Sequence, residues 1–528
     1  MLATVLSATL HGLDGRVIRV EVDVAPGLPG FSIVGLADAA LQEARERVRG
    51  AIRNSGFAFP PRRITVNLAP ADLRKGGAAL DLAIAVAILL GSEQLRATGR
   101  WALIGELSLG GELRTVPGLL PMVAALARRG VRRVVVPAEG VAEARLAGQL
   151  ELAGAATLRE AADLLRGGRA GGQASSRPVR IELVAPAGDG PGTGAEPPDR
   201  AALAQPESGW PDLAEVRGQL EARRALEIAL AGGHGLLLVG PPGSGKTLLA
   251  RTIPTLLPPL DEGEALKATV VRSVAGEAVT ELVRQRPFRA PHHTISYAAM
   301  VGGGPRLSPG EVTRAHDGVL FLDELPEFSR DVLEALREPL EEGQVAISRV
   351  GRTTTFPARF QLVAAMNPCP CGQAGTEPGA CRCPSGVAER YASRISGPLR
   401  DRIDLWLTMP RVRPAALVRG APPEGSACVA RRIAAARTRQ LERYGTLNAR
   451  IEGRRLRGAC ALSAATEAVI VELAERTALS ARGTTRLLRV ARTIADLAGD
   501  GAVEREHLEE AARFRSPGAA AGLPARAR

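Results

Sequence analysis

The chain of 528 residues is poor in aromatic residues, lysine and cysteine, and it has no long uninterrupted apolar run. Aromatic residues make up 3% of the sequence, which argues against a surface that stacks single-stranded bases. The longest apolar run, near residues 80–90, is too short to span a bilayer and contains Asp81. Because no basic segment followed by an apolar stretch begins the chain, we expect a cytoplasmic protein with no membrane partner.

Lysine occurs only at Lys75, Lys246 and Lys267, although Lys and Arg together number 68. Lys246 belongs to a glycine-rich octapeptide that follows the apolar run 236–239 and precedes a helix-forming stretch. A loop between such a strand and helix directs backbone N–H groups at bound phosphates. A glycine turn with an incidental lysine is the alternative, but a lone lysine in an arginine-biased chain indicates a need for a compact cation. The predicted nucleotide-binding residues are Gly240, Pro241, Pro242, Gly243, Ser244, Gly245, Lys246 and Thr247.

Two later apolar runs end in polar residues of the kind that nucleotide hydrolysis requires. Residues 318–322 read as a strand buried on both faces, and Asp323 and Glu324 follow it. We expect Asp323, with Thr247, to hold Mg²⁺, and Glu324 to activate the attacking water. Residues 360–366 form a third apolar strand, and Asn367 after it is suited to positioning that water. Order and spacing predict a P-loop ATPase of the AAA+ type with ATP and Mg²⁺ as cofactors.

Length and composition predict a multidomain α/β protein. Residues 1–166 alternate strand-like and helix-like segments and form an α/β domain. Residues 167–211 are rich in Gly, Pro, Ala and Ser and read as a flexible linker. A parallel-sheet ATPase core is expected over 212–415, and an α-helical lid over 425–516.

Four of the six cysteines, Cys369, Cys371, Cys381 and Cys383, form two Cys-x-Cys pairs within the loop 369–383. Cytosolic thiols stay reduced, so the pattern predicts four thiolates around one structural Zn²⁺. Free thiols or a redox pair are the alternatives. Cys428 and Cys460 are isolated and expected in the core.

The formal net charge is +12, and residues 428–528 hold 19 arginines against 11 acidic residues. A polyanion partner fits this excess, and so does a composition biased towards arginine throughout. Because aromatic residues are few, contact with nucleic acid would run mainly from arginine to phosphate.

The succession of these motifs resembles the ComM/YifB family of Mg-chelatase-like AAA+ ATPases, which are linked to bacterial natural transformation. The resemblance covers nearly the whole chain and includes the insertion 286–293, the segment Asn367 to Gly372, and residues 491–497. It implies a homo-hexameric motor or helicase that promotes branch migration of single-stranded or branched DNA intermediates. It also implies that residues 1–166 have a Lon-protease-like (S5-type) fold.

Further site residues come from the same resemblance. Residues 396–404 resemble the family's arginine-finger segment, with the finger placed at Arg402 and with Arg400 and Arg394 as competitors. An Asp-Arg pair that caps a helix is the structural alternative. Arg482 resembles the second sensor, which reads the nucleotide and moves the lid. A hairpin over residues 345–356 would bring Arg349 and Arg352 to DNA, although an ordinary solvated hairpin has the same pattern.

Two other function classes follow from the same resemblances. An ATP-dependent Lon-like protease would need a Ser-Lys dyad, and the segments 75–79 and 117–120 place alanine and leucine where those groups would lie. A metal-insertion subunit of magnesium chelatase shares the ATPase layout but normally lacks the first domain and the cysteine loop. Both rank behind the DNA motor. His292 and His293 are expected to be structural, because no cysteine or carboxylate stands nearby at ligand spacing.

Overall fold

The computed structural model describes residues 1–35, 39–71, 77–167, 209–304, 307–349, 352–375, 379–412, 423–477 and 479–514. The predicted linker 167–211 lies almost entirely outside these residues. The described part is a mixed α/β structure with two large sheets and many helices. None of the helices in these ranges is both long and apolar enough to cross a membrane.

The first sheet has seven strands, which lie in the order β3-β4-β2-β1-β5-β8-β9. Its segment of the chain contains the strands β1 (Leu2–His11), β2 (Asp14–Ala25), β3 (Gly30–Val34), β4 (Arg63–Ala69), β5 (Ala102–Leu103), β6 (Glu106–Leu107), β7 (Leu113–Arg114), β8 (Arg133–Pro137) and β9 (Glu151–Ala155). The helices of this segment are α1 (Ala39–Asn54), α2 (Asp81–Gly91), α3 (Leu119–Arg128), α4 (Val141–Arg145) and α5 (Leu158–Leu165). β2 pairs antiparallel with β1 and β4, and the other neighbours in the sheet run parallel.

Side-chain periodicity explains these elements. β2 alternates buried and exposed residues, as a strand with one solvated face does. All residues of α2 but Leu90 are buried, which explains why its sequence reads as one apolar run. Asp81 at its first position is fully buried and is compensated by Arg47, whose Nε lies 2.8 Å from Oδ2. Burial nevertheless raises the pKa of Asp81 to about 6.

The second sheet is fully parallel and has the strand order β11-β14-β17-β10-β18. Its segment contains β10 (Leu236–Val239), β11 (Phe288–Arg289), β12 (Gly302–Gly303), β13 (Ser308–Pro309), β14 (Val319–Leu322), β15 (Gln344–Arg349), β16 (Arg352–Pro357), β17 (Gln361–Met366) and β18 (Leu405–Thr408). The helices are α6 (Leu220–Gly232), α7 (Lys246–Arg251), α8 (Ile253–Leu256), α9 (Glu262–Val274), α10 (Tyr297–Val301), α11 (Glu311–Arg314), α12 (Arg330–Ala335), α13 (Arg337–Glu342), α14 (Val387–Ser393) and α15 (Gly397–Arg400).

The three central strands β10, β14 and β17 are buried along their whole length. This confirms the expectation that apolar runs without alternation form strands covered on both faces. Because the strands are parallel, their carboxyl ends open on one edge of the sheet. The glycine-rich loop, the acidic pair and Asn367 all follow these ends.

The last described segment is helical. It contains α16 (Ser426–Tyr444), α17 (Gly453–Cys460), α18 (Ala464–Arg476), α19 (Ala481–Ala498) and α20 (Arg505–Arg513). α16, α19 and α6 share one hydrophobic core with β10 and β18, so these helices pack directly on the second sheet. The helical character expected for residues 425–516 is thus present in their described part.

A buried polar network crosses from α19 to the sheet. The His234 ring, before β10, lies 2.8 Å from Thr493 Oγ1 and 3.2 Å from Asp404 Oδ2. Asn448 donates to Thr493 Oγ1 and to Asp496 Oδ2. All of these groups are buried, which explains the polar residues of the segment 491–497 in an otherwise apolar helix face.

Candidate nucleotide site

The glycine-rich loop joins β10 to α7 with a tight backbone. Gly243 and Gly245 have φ angles of 78° and 91°, in the left-handed region that glycine adopts without strain. Gly240 lies against the carbonyl oxygen of Met409, where an added Cβ would come within 2.4 Å. The loop is therefore shaped by glycines at positions where other residues would clash or be strained.

Lys246 lies at the base of this loop and is 8% exposed. Its Nζ donates to the carbonyl oxygens of Gly240 at 2.7 Å and Pro241 at 3.0 Å, and to Asn367 Oδ1 at 3.2 Å. Burial lowers the pKa of Lys246, and the nearby carboxylates of Asp323 and Glu324 act in the opposite direction. The structure thus brings Lys246 into direct contact with Asn367, the residue expected to position the attacking water.

The predicted magnesium ligands also meet. The hydroxyl of Thr247 donates to Asp323 Oδ2 at 2.6 Å, and the other carboxylate oxygen accepts the N–H of Glu324 at 2.9 Å. Glu324 has φ 53° and ψ 45°, an uncommon backbone conformation for a residue with a side chain. A hydroxyl beside a carboxylate is an oxygen donor set that suits Mg²⁺.

These groups enclose one cavity of about 320 Å³. Its lining consists of Pro242, Gly243, Gly245, Lys246, Thr247, Leu248, Asp323, Glu324, Met366 and Asn367. One end offers a buried cation and loop N–H groups, and the other offers carboxylates and a hydroxyl. The chemistry of this lining fits a magnesium nucleotide.

Arg402 and Arg482 do not line this cavity. Arg402 forms an ion pair with Glu341 and donates to the carbonyl oxygen of Pro398 at 2.7 Å. Its pKa is lowered by burial and by the positive charges of Arg337, Arg482 and Arg486. The predicted finger and the predicted second sensor are therefore neighbours of each other.

The competing finger candidates have other surroundings. Arg394 donates from Nη1 to the carbonyl oxygen of Pro326 at 3.1 Å and to Glu327 Oε2 at 3.2 Å. Arg400 is the last residue of α15.

The four loop cysteines converge on one point, with all sulfur atoms within 4.8 Å of one another. Cys369 and Cys381 lie 3.8 Å apart at their sulfurs, and Cys371 and Cys381 lie 3.7 Å apart. Four thiolates bound tetrahedrally to Zn²⁺ at about 2.3 Å would have sulfurs about 3.8 Å apart. The N–H of Ala374 also donates to the Cys369 sulfur at 3.3 Å, so the donor set and its surroundings fit a zinc site.

The cysteine loop also touches the glycine-rich loop. An added Cβ at Gly372, which has φ 76°, would lie 2.4 Å from Pro242 Cδ. Cys369 stands two positions after Asn367. The cysteine cluster is thus tied to the nucleotide cavity both through the chain and through this contact.

The predicted hairpin is present as β15 and β16, which pair antiparallel with Arg349 opposite Arg352. Val345 and Phe356 at its base are buried in the core beneath the ATPase sheet. Residues 350–351 and the side chains of Arg349 and Arg352 lie outside the described part of the structure.

The sequence alone did not identify His293 as a member of this site. Its Nδ1 lies 3.3 Å from Glu324 Oε2. The indication available in hindsight is topological: β11, which precedes His293, pairs in parallel with β14, which precedes Glu324. The expected structural role of His293 is therefore incomplete.

Three family models match segments of this chain. Residues 212–417 match the family described as magnesium chelatase, subunit ChlI, and residues 423–515 match its C-terminal part. Residues 20–140 match the family described as subunit ChlI of Mg-chelatase.

Two relatives are similar to this chain over nearly their whole length, and a third is similar over about half of its length. YifB of Salmonella typhimurium is 43% identical over 519 residues, which cover 98% of this chain and 97% of the relative. The competence protein ComM of Haemophilus influenzae is 40% identical over 98% of this chain and 97% of its own. The magnesium-chelatase 38 kDa subunit of Acidiphilium rubrum is 28% identical over 29% of this chain and 51% of its own.

Lys246→Ala and Glu324→Gln should separate nucleotide binding from hydrolysis. We expect Lys246→Ala to abolish detectable ATP binding, because the loop loses its buried cation. Glu324→Gln should bind ATP normally and lower kcat at least about 100-fold, because the water loses its base. Binding is measured with a fluorescent ATP analogue and hydrolysis by phosphate release.

Lys267→Ala is the matched control, since Lys267 is exposed on α9 away from the cavity. It should behave as the unmodified protein. Equal loss of binding in Lys246→Ala and Glu324→Gln would contradict the two roles.

Proposed function

Because the chain belongs to the ComM/YifB family of magnesium-chelatase-like AAA+ ATPases, we propose that it is a hexameric motor that drives branch migration of DNA recombination intermediates. The observation that carries the proposal is the single cavity shared by Lys246, Thr247, Asp323, Glu324 and Asn367. The near full-length similarity to a competence protein supports DNA as the substrate. A motor that acts on DNA taken up by a bacterium would be located in the cytoplasm.

Each residue of the cavity has a part in hydrolysis. Thr247 and Asp323 would hold Mg²⁺, which supplies charge neutralisation at the β- and γ-phosphates. Lys246 binds the terminal phosphates and gives up its hydrogen bonds to the loop carbonyl oxygens. Glu324 accepts the proton of the attacking water, and Asn367 orients that water from the end of the neighbouring strand.

The arginine cluster supports completion of the site by a second subunit. Arg337, Arg402, Arg482 and Arg486 lie close enough that their charges lower the pKa of Arg402. The Nε of Arg402 is buried and has no hydrogen-bond partner among the described residues. An anion would relieve this like-charge contact, and a γ-phosphate bound by the adjacent subunit is such an anion.

Mixed assemblies should test this arrangement. Lys246→Ala and Arg402→Ala should each be inactive alone, since one lacks the loop cation and the other the finger. Mixing equal amounts should restore about a quarter of the unmodified hydrolysis rate, because random neighbours combine an intact loop with an intact finger in that share of interfaces.

The hydrolysis rate is measured by phosphate release. Native mass spectrometry follows the exchange of subunits between the mixed assemblies. The same mixing with Arg400→Ala and Arg394→Ala tests the competitors. Restoration by one of these variants instead of Arg402→Ala would assign the finger to that residue. A strictly monomeric protein with full ATPase activity would contradict the ring.

The hairpin β15–β16 is the proposed DNA contact. The backbone register pairs Arg349 with Arg352 at the last described position of the hairpin, whereas its base is anchored in the core. Arginine-to-phosphate contact requires no base stacking, in keeping with the 3% aromatic content. The excess of arginine in residues 428–528 would add a further attraction for DNA.

We expect forked and three-stranded DNA to stimulate ATP hydrolysis and the protein to migrate branches with ATP. Combined replacement of Arg349 and Arg352 by alanine should weaken stimulation about tenfold and reduce the salt slope of DNA binding by about two. Arg128→Ala with Arg129→Ala, two exposed arginines of the first domain, is the control.

Glu324→Gln should bind the same DNA and migrate no branches. A metal-insertion subunit would be indifferent to DNA, so unstimulated hydrolysis would favour the magnesium chelatase alternative. That alternative has the weaker support, because the chelatase subunit of Acidiphilium rubrum matches only 29% of this chain.

We also propose that Cys369, Cys371, Cys381 and Cys383 hold a structural Zn²⁺ that fixes the end of β17. The support lies in the sulfur separations and in the contact of Gly372 with Pro242. Four thiolates leave no open position for a substrate, so the metal would have a structural role and no catalytic one.

Metal analysis after purification under reducing, chelator-free conditions should find about one zinc per chain. Cys371→Ser and Cys381→Ser should lose the metal, because three thiolates bind it less tightly. Cys428→Ser should retain it, since Cys428 lies outside the cluster. Cys428 is exposed, so the expectation that it lies in the core is wrong, whereas Cys460 is buried as expected. Four thiol-reactive cysteines without bound metal would contradict the zinc site and favour free thiols.

The first domain is proposed to serve assembly or docking and to have no proteolytic activity. Ala79 and Leu119, in the two segments that would supply a dyad, pack in the same apolar cluster. The partly buried Glu143 accepts the N–H of Leu120 at 2.9 Å and the hydroxyl of Ser273 on α9 at 2.6 Å. These contacts join the domain to the ATPase segment.

A further inference from the structure

His293 is the one described residue outside the predicted nucleotide site with a side chain paired to the carboxylate of Glu324. The distance from its Nδ1 to Glu324 Oε2 is 3.3 Å, and the two side chains are 30% and 51% exposed. Asp323, by contrast, contacts Glu324 only through the backbone N–H in the bonds that the structure shows. His293 thus contacts one oxygen of the carboxylate that is proposed to activate the attacking water.

The position of the His293 ring is set by its neighbours. The ring of His292 stacks at a centroid distance of 4.1 Å, and the Phe328 ring meets it edge-on at 6.5 Å. The preceding strand is fixed because Arg289 donates to both carboxylate oxygens of Glu311, at 2.6 and 2.7 Å. The imidazole therefore contacts two aromatic rings, and the strand that precedes it is fixed by an ion pair.

A glutamate that acts on water must present one oxygen in a fixed direction, and its side chain has three rotatable bonds. Half of the Glu324 side chain is exposed, so packing alone leaves it several rotamers. Contact with the ring of His293, whose Nδ1 lies 3.3 Å from Oε2, favours one of them. This is the usual way in which a neighbouring group orients a catalytic carboxylate.

We propose that His293 is a positioning residue for ATP hydrolysis, which holds Oε2 of Glu324 so that the other carboxylate oxygen faces the cavity. The inference rests on the proposed role of Glu324. It makes the insertion that contains His293 part of the hydrolytic machinery, because displacement of that insertion would release the carboxylate.

Replacement of His293 by asparagine, glutamine and alanine gives a direct test. The amide nitrogen of asparagine can occupy the place of Nδ1, whereas that of glutamine corresponds to Nε2. We expect His293→Ala and His293→Gln to lower kcat about tenfold, equivalent to about 1.4 kcal/mol, and His293→Asn to stay within about threefold of the unmodified protein. The KM for ATP and the affinity for a fluorescent ATP analogue should change less than about twofold in all three.

Tyr297→Ala is the matched control, because Tyr297 is exposed on α10, shortly after the insertion, and does not line the cavity. In a Glu324→Gln background, His293→Ala should cause no further loss, since the group it positions is gone. Equal losses in the Asn and Ala variants, an increase of kcat in His293→Ala, or additive losses with Glu324→Gln would overturn the inference.

Different outcomes would contradict the role of Glu324 and the role of His293. If Glu324→Gln hydrolyses ATP at the unmodified rate, the assignment of Glu324 itself is wrong. If Glu324→Gln is inactive and His293→Ala is unaffected, only the role of His293 is wrong.

Discussion

The hydrogen bond from Thr247 to Asp323 joins two residues that are 76 positions apart in the chain. It exists because β10 and β14 both pair with β17 and run in the same direction. Asn367 at the end of β17 lies between them and reaches Lys246. A different strand order would leave each motif intact in sequence and would scatter the cavity, so the nucleotide site depends on this sheet more than on any one motif.

The parts of the site that the sequence predicts are those with a local physical signature. A glycine-rich loop between an apolar run and a helix former can be identified without knowledge of the fold, and so can an acidic pair after a run with no alternation. Cysteine spacing is equally local, and the sulfurs do converge as expected. The hairpin is indicated by two strand-like stretches around a short turn, and its register brings Arg349 opposite Arg352.

Other features depend on contacts between distant segments and leave no local signature. His293 reads as one of two adjacent histidines, and its partner Glu324 is adjacent only because β11 and β14 pair. Arg482, a sensor residue by resemblance, lies near Arg402 and outside the lining of the cavity, because α19 packs on the far end of the sheet, beside His234 and Asp404.

The polar network between α19 and the sheet has a mechanical consequence. Sliding the C-terminal helices over the strands would separate His234 from Thr493 and Asp404, and each buried group left without a partner costs about 1–3 kcal/mol. Asn448 and Asp496 extend the same penalty deeper into the helices. The network therefore resists displacement of the C-terminal helices relative to the sheet, so that any movement of this part of the chain should carry both together.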